Sequence, residues 1–167
     1  MLYDISKHKA GFEVKILISI RNYRDSDWEP ISRVHDSARM QELELAGLED
    51  AFLPLEIAAK RECLFDYPGI YVAEEEGKVI GFAACTEDEL AWLYVDPEKR
   101  RCGVGRSLSE YAMKMHPGIR YVEALKGNLP ALKLYEKLGF KLKGIEEGKM
   151  PGNEAFTVQV YSLEKEA

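Results

Sequence analysis

Residues 90–115 constrain the fold more than any other stretch. Leu90-Ala91-Trp92-Leu93-Tyr94-Val95 is an apolar run of strand length. It stops at Asp96-Pro97, because proline has no N–H to give a β-ladder. Arg100-Arg101-Cys102-Gly103-Val104-Gly105-Arg106 follows, and Leu108, Tyr111, Ala112 and Met115 then recur at helical spacing. A strand that feeds a helix through a basic glycine loop calls for a sheet with helices packed on it, not an all-β domain. Gly103 and Gly105 remove side chains where the backbone turns into the helix, so successive N–H groups can point at one anion. The helix N-terminus adds partial positive charge, and Arg100, Arg101 and Arg106 add full charges. A pyrophosphate is the expected guest. A Walker loop is excluded, since no GK[ST] follows. A dinucleotide fingerprint needs a third glycine where Leu108 stands. A plain turn with solvated arginines stays open on the loop alone.

The flanking segments fill in a mixed order. Residues 1–11 read as a short leader, and 12–167 as one domain, in keeping with the length of 167 residues. Val14, Ile16, Ile18 and Ile20 alternate with Lys15, Leu17, Ser19 and Arg21, a strand pattern. Helices are expected over about 28–43 and 49–64, with Pro54 in the first turn of the second or breaking it. Strands follow near 70–74, 79–86 and 90–95. After the helix that ends near Met115 come a strand at 120–125 and a helix that Pro130 opens and Gly139 closes. Two final strands, near 140–147 and 155–163, flank Pro151-Gly152-Asn153. The order is β-α-α-β-β-β-α-β-α-β-β, an α/β (α+β) arrangement on a mixed sheet.

Composition narrows the partners. The chain is 46% hydrophobic and 31% charged with a net charge of −6, which supports a sizeable core and argues against nucleic acid. No apolar run approaches the roughly 18 residues that span a bilayer, and no signal peptide is apparent, so no membrane partner is expected. Cys63, Cys85 and Cys102 form no CxxC pair, and an odd count suits reduced thiols in a cytoplasmic protein. His8, His35 and His116 are scattered, so no metal site is expected.

With these residues in place, LYVDPEKRRCGVGRSL resembles the acetyl-CoA-binding motif of the GCN5-related N-acetyltransferase (GNAT) superfamily, Q/R-x-x-G-x-G/A. Arg100, Gly103 and Gly105 hold its defined positions. A second family element runs from Asn128 through Ala131-Leu132-Lys133-Leu134-Tyr135-Glu136-Lys137-Leu138-Gly139-Phe140. The two cover roughly residues 90–140. The resemblance implies a GNAT fold, with the sheet splayed between the fourth and fifth strands of the order above, and acetyl-CoA as co-substrate without a metal. It implies that Leu93, Tyr94 and Val95 meet the pantetheine arm, although ordinary core strand explains them too. The loop from Arg100 to Ser107 (Arg100, Arg101, Cys102, Gly103, Val104, Gly105, Arg106 and Ser107) then takes the pyrophosphate. Asn128 binds pantetheine or caps its helix. Tyr135 donates to the leaving thiolate or is a half-buried core aromatic.

Acetyl transfer to an amine needs a neutral amine, a polarised thioester carbonyl and a stabilised oxyanion, and the leaving thiolate can take a proton. Glu123 resembles the glutamate of peptide N-terminal acetyltransferases, although Ala124-Leu125-Lys126 departs from the usual Val-Arg. Glu89, with Glu87 and Asp88, is its rival as general base. The resemblance places the acceptor groove over about 25–67 and 144–155, where Trp28, His35, Arg39 and Glu42 join Phe52, Phe65 and Tyr67 as candidates. The expected reaction is direct acetyl transfer, in a ternary complex, to the primary amine of a small molecule or a peptide N-terminus. A non-catalytic coenzyme A-binding regulatory module is the alternative. A homodimer is left open.

Overall fold

The structure, a computed structural model, describes residues 1–9 and 12–166. Strands β1 (Leu2–Lys9) and β2 (Phe12–Asn22) precede helices α1 (Trp28–Ala46) and α2 (Leu55–Arg61). Strands β3 (Gly69–Glu75), β4 (Lys78–Cys85) and β5 (Glu89–Val95) lead to helix α3 (Val104–Met115). Strand β6 (Tyr121–Leu125), helix α4 (Leu129–Lys137) and strands β7 (Lys141–Lys149) and β8 (Thr157–Glu164) complete the order. The strands form one eight-stranded sheet, β1-β2-β3-β4-β5-β6-β8-β7.

Two departures from the sequence reading have local causes. The stretch read as a leader contains β1, which runs antiparallel to β2 with Leu2 opposite Ser19. The Ile20 N–H donates to the Met1 carbonyl (3.0 Å), which carries the pairing to the first residue. Residues 10 and 11 of that stretch lie outside the described residues. The expected second helix is divided: a 3-10 turn covers Glu49–Ala51, and α2 begins only at Leu55, after Pro54 at its N-cap. Proline disfavours helical backbone in the residue before it, so Leu53 cannot continue the turn into α2.

The sheet is covered on both faces, and β4 shows why. Its burial is continuous after Lys78, as a central strand requires. On one face, Ile80 and Ala83 pack with Leu108 and Ala112 of α3 and with Tyr135 of α4. On the other, Phe82 and Ala84 pack with Ile31 and Val34 of α1, Leu55 and Ala58 of α2, and Trp92. A third cluster joins Leu43 to Leu125, Met150 and Val158. An ionic clamp ties β2 and β3 to the start of α1. Arg21 donates to Asp27 (2.7 and 2.9 Å) and to Glu74 (2.6 Å).

The sheet opens in its middle. β5 and β6 run parallel and meet at only two pairs, Glu89 with Tyr121 and Leu90 with Val122. Beyond them the strands part, with β5 held to β4 and β6 held to β8. This is the expected splay. It falls between the fifth and sixth strands because β1 adds one to the count. None of the helices among the described residues is long and apolar enough to cross a membrane.

Candidate active site

The opening is prepared by a bulge in β5. Cys85 faces Leu90 and Ala84 faces Trp92, so Ala91 is the extra residue. A bulge bends its strand and ends regular pairing, here where β5 leaves β6. Leu93, Tyr94 and Val95 pair with Ala83, Phe82 and Gly81 on the β4 side. Among the described residues their other edge has no strand partner, so their outward backbone groups face the opening. A cavity of about 150 Å³ occupies the gap. Ala91–Tyr94 form one wall and Glu123–Leu125 the other, with Tyr135 from α4, Arg39 and Glu42 from α1, and Met150 and Asn153 from the β7–β8 turn.

The glycine loop lies at the end of β5 that points into this gap. Asp96 caps a 3-10 turn by accepting from the Glu98 N–H (3.0 Å). Arg101 (φ +60°) and Gly103 (φ +80°) then take left-handed backbone, which glycine tolerates and arginine does not favour. The first helical hydrogen bond of α3 runs from the Ser107 N–H to the Gly103 carbonyl (3.0 Å), and no side chain caps the helix. The N–H groups of Val104, Gly105 and Arg106 therefore lack a helical acceptor, as the first turn of any helix does. Gly105 is close-packed: a Cβ there would lie 3.3 Å from Leu134 of α4. Val104, Cys102 and Ser107 point inward and are buried. Arg100 reaches Gln41 of α1 (2.9 Å), and Arg106 pairs with Glu110 one turn on (2.7 Å). The loop presents backbone donors, with exposed guanidinium groups around them.

The gap itself is rich in ionisable groups. Tyr135 is buried, and burial, reinforced by Glu42 and Tyr94, pushes its phenol above the usual range. Burial likewise raises Tyr94, against the pull of Arg39. Arg39 donates to Glu42 (2.7 Å), whose other oxygen accepts from Asn128 (3.2 Å). The Oδ1 of Asn128 accepts from the Ala131 N–H (3.2 Å), so Asn128 caps α4 and ties it to α1. His35 stacks edge-on against Tyr94 (4.8 Å) and shares Nδ1 with Asp36 (2.8 Å). Its burial lowers its pKa, against Asp36. Glu123 lines the cavity, and burial, followed by Glu146, raises its carboxyl. Glu62, just after α2, also lines it, and burial pushes that carboxyl up to about 7, with Arg39 opposing and Glu154 adding.

Of the residues singled out from sequence, the cavity brings together Leu93, Tyr94, Glu123, Tyr135, His35, Arg39 and Glu42. Val95 packs against the core beside it. Glu89 sits where β5 and β6 still pair, outside the lining; burial, with Glu123 and Asp88, raises its carboxyl. Glu87 turns to His116 (3.2 Å) and Asp88 to Thr86 (2.8 Å), both away from the cavity. Trp28 and Phe65 line a separate surface pocket with Tyr23. Phe52 packs in the third cluster and Tyr67 against the α1–α2 face. Sequence reading missed Glu62, Met150 and Asn153. No motif marks Glu62. The only hint was its place just after the second helix, inside the expected groove.

Similarity to known proteins agrees with this geometry. Residues 66–142 match the family model of the acetyltransferase (GNAT) domain. The peptidyl-lysine N-acetyltransferase YjaB of Escherichia coli is 29% identical over 141 residues, covering 79% of this chain and 88% of that protein. The solution structure of apo YjaB from Escherichia coli superposes with a TM-score of 0.68 at 25% identity, covering 88% of this chain and 96% of that one. The PaiA N-acetyltransferase of Thermoplasma acidophilum in complex with coenzyme A gives a TM-score of 0.67 at 20% identity over 90% of this chain and 99% of that one. The opened sheet, the uncapped loop at the head of α3 and these likenesses agree: residues 66–142 match an acetyltransferase (GNAT) domain, within a chain that is similar over most of its length to acetyltransferases of that fold.

Proposed function

We propose that the protein transfers the acetyl group of acetyl-CoA to a primary amine by direct attack in a ternary complex. One observation carries the reading: the free edge of β5, Tyr135 and the acidic residues Glu42, Glu62 and Glu123 line a single cavity in the opened sheet. The residues present suit the co-substrate. Uncapped N–H groups of Val104, Gly105 and Arg106, with Arg100 and Arg101 nearby, suit a pyrophosphate. The outward backbone of Leu93–Val95 offers the alternating donors and acceptors that the amides of pantetheine need. Acetyl-CoA supplies an activated acyl group there, and the chain supplies donors, acids and bases.

Tyr135 holds its proton tightly, so it acts as a hydrogen-bond donor to the developing thiolate. Asn128 works through α4: it caps the helix that carries Tyr135 and ties it to Glu42. Glu123, on the β6 wall, adds a carboxylate that draws a cationic acceptor into the cavity. Ala51, Leu53, Ala58 and Val158 give the acceptor side of the cavity an apolar lining. That lining suits an amine on an aliphatic stem, and YjaB, a named peptidyl-lysine N-acetyltransferase, makes the lysine side chain the first peptide acceptor to try. Small alkylamines and peptide N-termini are the competing acceptors.

The test is thiol release from acetyl-CoA with these three acceptor classes offered in parallel. Release with at least one, abolished by Gly105→Glu, supports the reading. Acetyl-CoA binding without release for any acceptor contradicts it.

A further inference from the structure

We propose that Glu62 receives the acceptor's ammonium group in the cavity and is the base that removes its proton. The proposal rests on the acetyltransferase reading above and assigns its acceptor side.

Glu62 is clamped from two directions. It follows the last turn of α2, and the β7–β8 turn lies directly against it: a Cβ on Gly152 would sit 2.9 Å from Glu62 Cγ and 3.1 Å from Oε1. Neighbouring bonds fix that turn. Arg61 donates to the Gly152 carbonyl (2.9 Å), the Gly152 N–H donates to Glu154 (3.2 Å), and Asn153 donates to the Ala51 carbonyl (3.0 Å). The Glu62 carboxylate itself accepts no hydrogen bond from a described residue. Arg39, which faces it, is committed to Glu42. A half-buried carboxylate held in place without a donor is short of a cation. Among the described residues Arg39 is the one cation in the lining, against Glu42, Glu62 and Glu123, so the cavity is anionic and suits an ammonium. Burial has already moved Glu62 up to about 7, close to the working pH at which a general base is most effective.

The ammonium gives one proton to the Glu62 carboxylate, and its nitrogen forms the new C–N bond at the thioester carbonyl as the C–S bond breaks. The second N–H proton goes to the thiolate, with Tyr135 as the donor beside it. Glu62 then releases its proton to solvent.

The test compares wild type with Glu62→Gln on two acceptors at pH 7.5. One is an alkylamine, present as ammonium; the other is 2,2,2-trifluoroethylamine, present largely as the free base. Glu62→Gln is expected to lower kcat/KM at least ~100-fold with the alkylamine and far less with the fluorinated amine, and to abolish the acidic limb of the pH profile. Glu62→Asp is expected to recover part of the rate. Carboxyl NMR of the free protein is expected to show one glutamate titrating near 7 that vanishes in Glu62→Gln. Equal loss on both acceptors, or equal retention, with acetyl-CoA binding intact, overturns the proposal. Absence of thiol release by wild type with every amine overturns the acetyltransferase reading instead, and the NMR titration reads independently of it.

Discussion

Tyr135 illustrates how one position combines packing with chemistry. Its ring packs edge-on against Phe140 (6.2 Å), and the residue also lines the cavity. The expectation of a core aromatic is met by this packing, and the part of the hydroxyl at the leaving thiolate is the role proposed above. The raised pKa favours a hydrogen-bond donor over a full acid. A phenol that is harder to ionise than usual transfers its proton to a thiolate only uphill, since a thiol has a pKa near 8.5. Tyr135→Phe is therefore expected to lower kcat about 10- to 100-fold, with KM for acetyl-CoA changed less than threefold. Steady-state kinetics at saturating amine measure this. An unchanged kcat would leave Tyr135 a core residue only.

At the scale of elements, the loop that leads into α3 depends on backbone geometry. Gly103 (φ +80°) turns the chain so that the head of α3 is left uncapped. Gly103→Ala places a Cβ in left-handed backbone at about 1 kcal/mol, so a weakening of acetyl-CoA binding of about fivefold is expected in calorimetry. The melting temperature should fall by only a few degrees. This element was legible in the sequence because strand, proline stop, basic glycines and amphipathic helix stand consecutively. The strands and α4 were legible from their periodicity and their Pro and Gly boundaries. Two elements were not. β1 carries Asp4, Ser6, Lys7 and Lys9, too polar to announce an edge strand, and its pairing depends on β2. The break before α2 depended on whether Pro54 opened that helix or interrupted it, and both agree with a proline at the first turn. The cavity's acceptor side was the least legible part. Glu62, Met150 and Asn153 come from segments nearly 90 residues apart in the chain, and only the hairpin's return across α2 brings them together.

Across the whole molecule, two carboxylates bend the stability–pH curve in opposite directions. Asp27 is buried and paired with Arg21, which holds its carboxyl below the usual range. A depressed folded pKa gives stability that is present above the unfolded value, near 3.9, and is lost as pH falls through the folded one. Asp27→Asn is expected to cost about 2 kcal/mol at pH 7, and the difference from wild type should shrink below about pH 4. Glu62 has the opposite sign. Its folded pKa is raised, so the stability gained by holding the proton is full below the ordinary carboxylate value and is lost as pH rises through about 7. Above that, the fold carries a desolvated anion with no donor. Glu62→Gln removes the anion and keeps the shape, so its melting temperature should match wild type near pH 4 and exceed it by about 2 °C at pH 8. Thermal melts of both variants from pH 3 to 8 separate the two groups. A Glu62→Gln variant that melts below wild type at pH 8 would mean that the carboxylate is stabilised by the fold. The charge would then not be held in wait for a cationic acceptor.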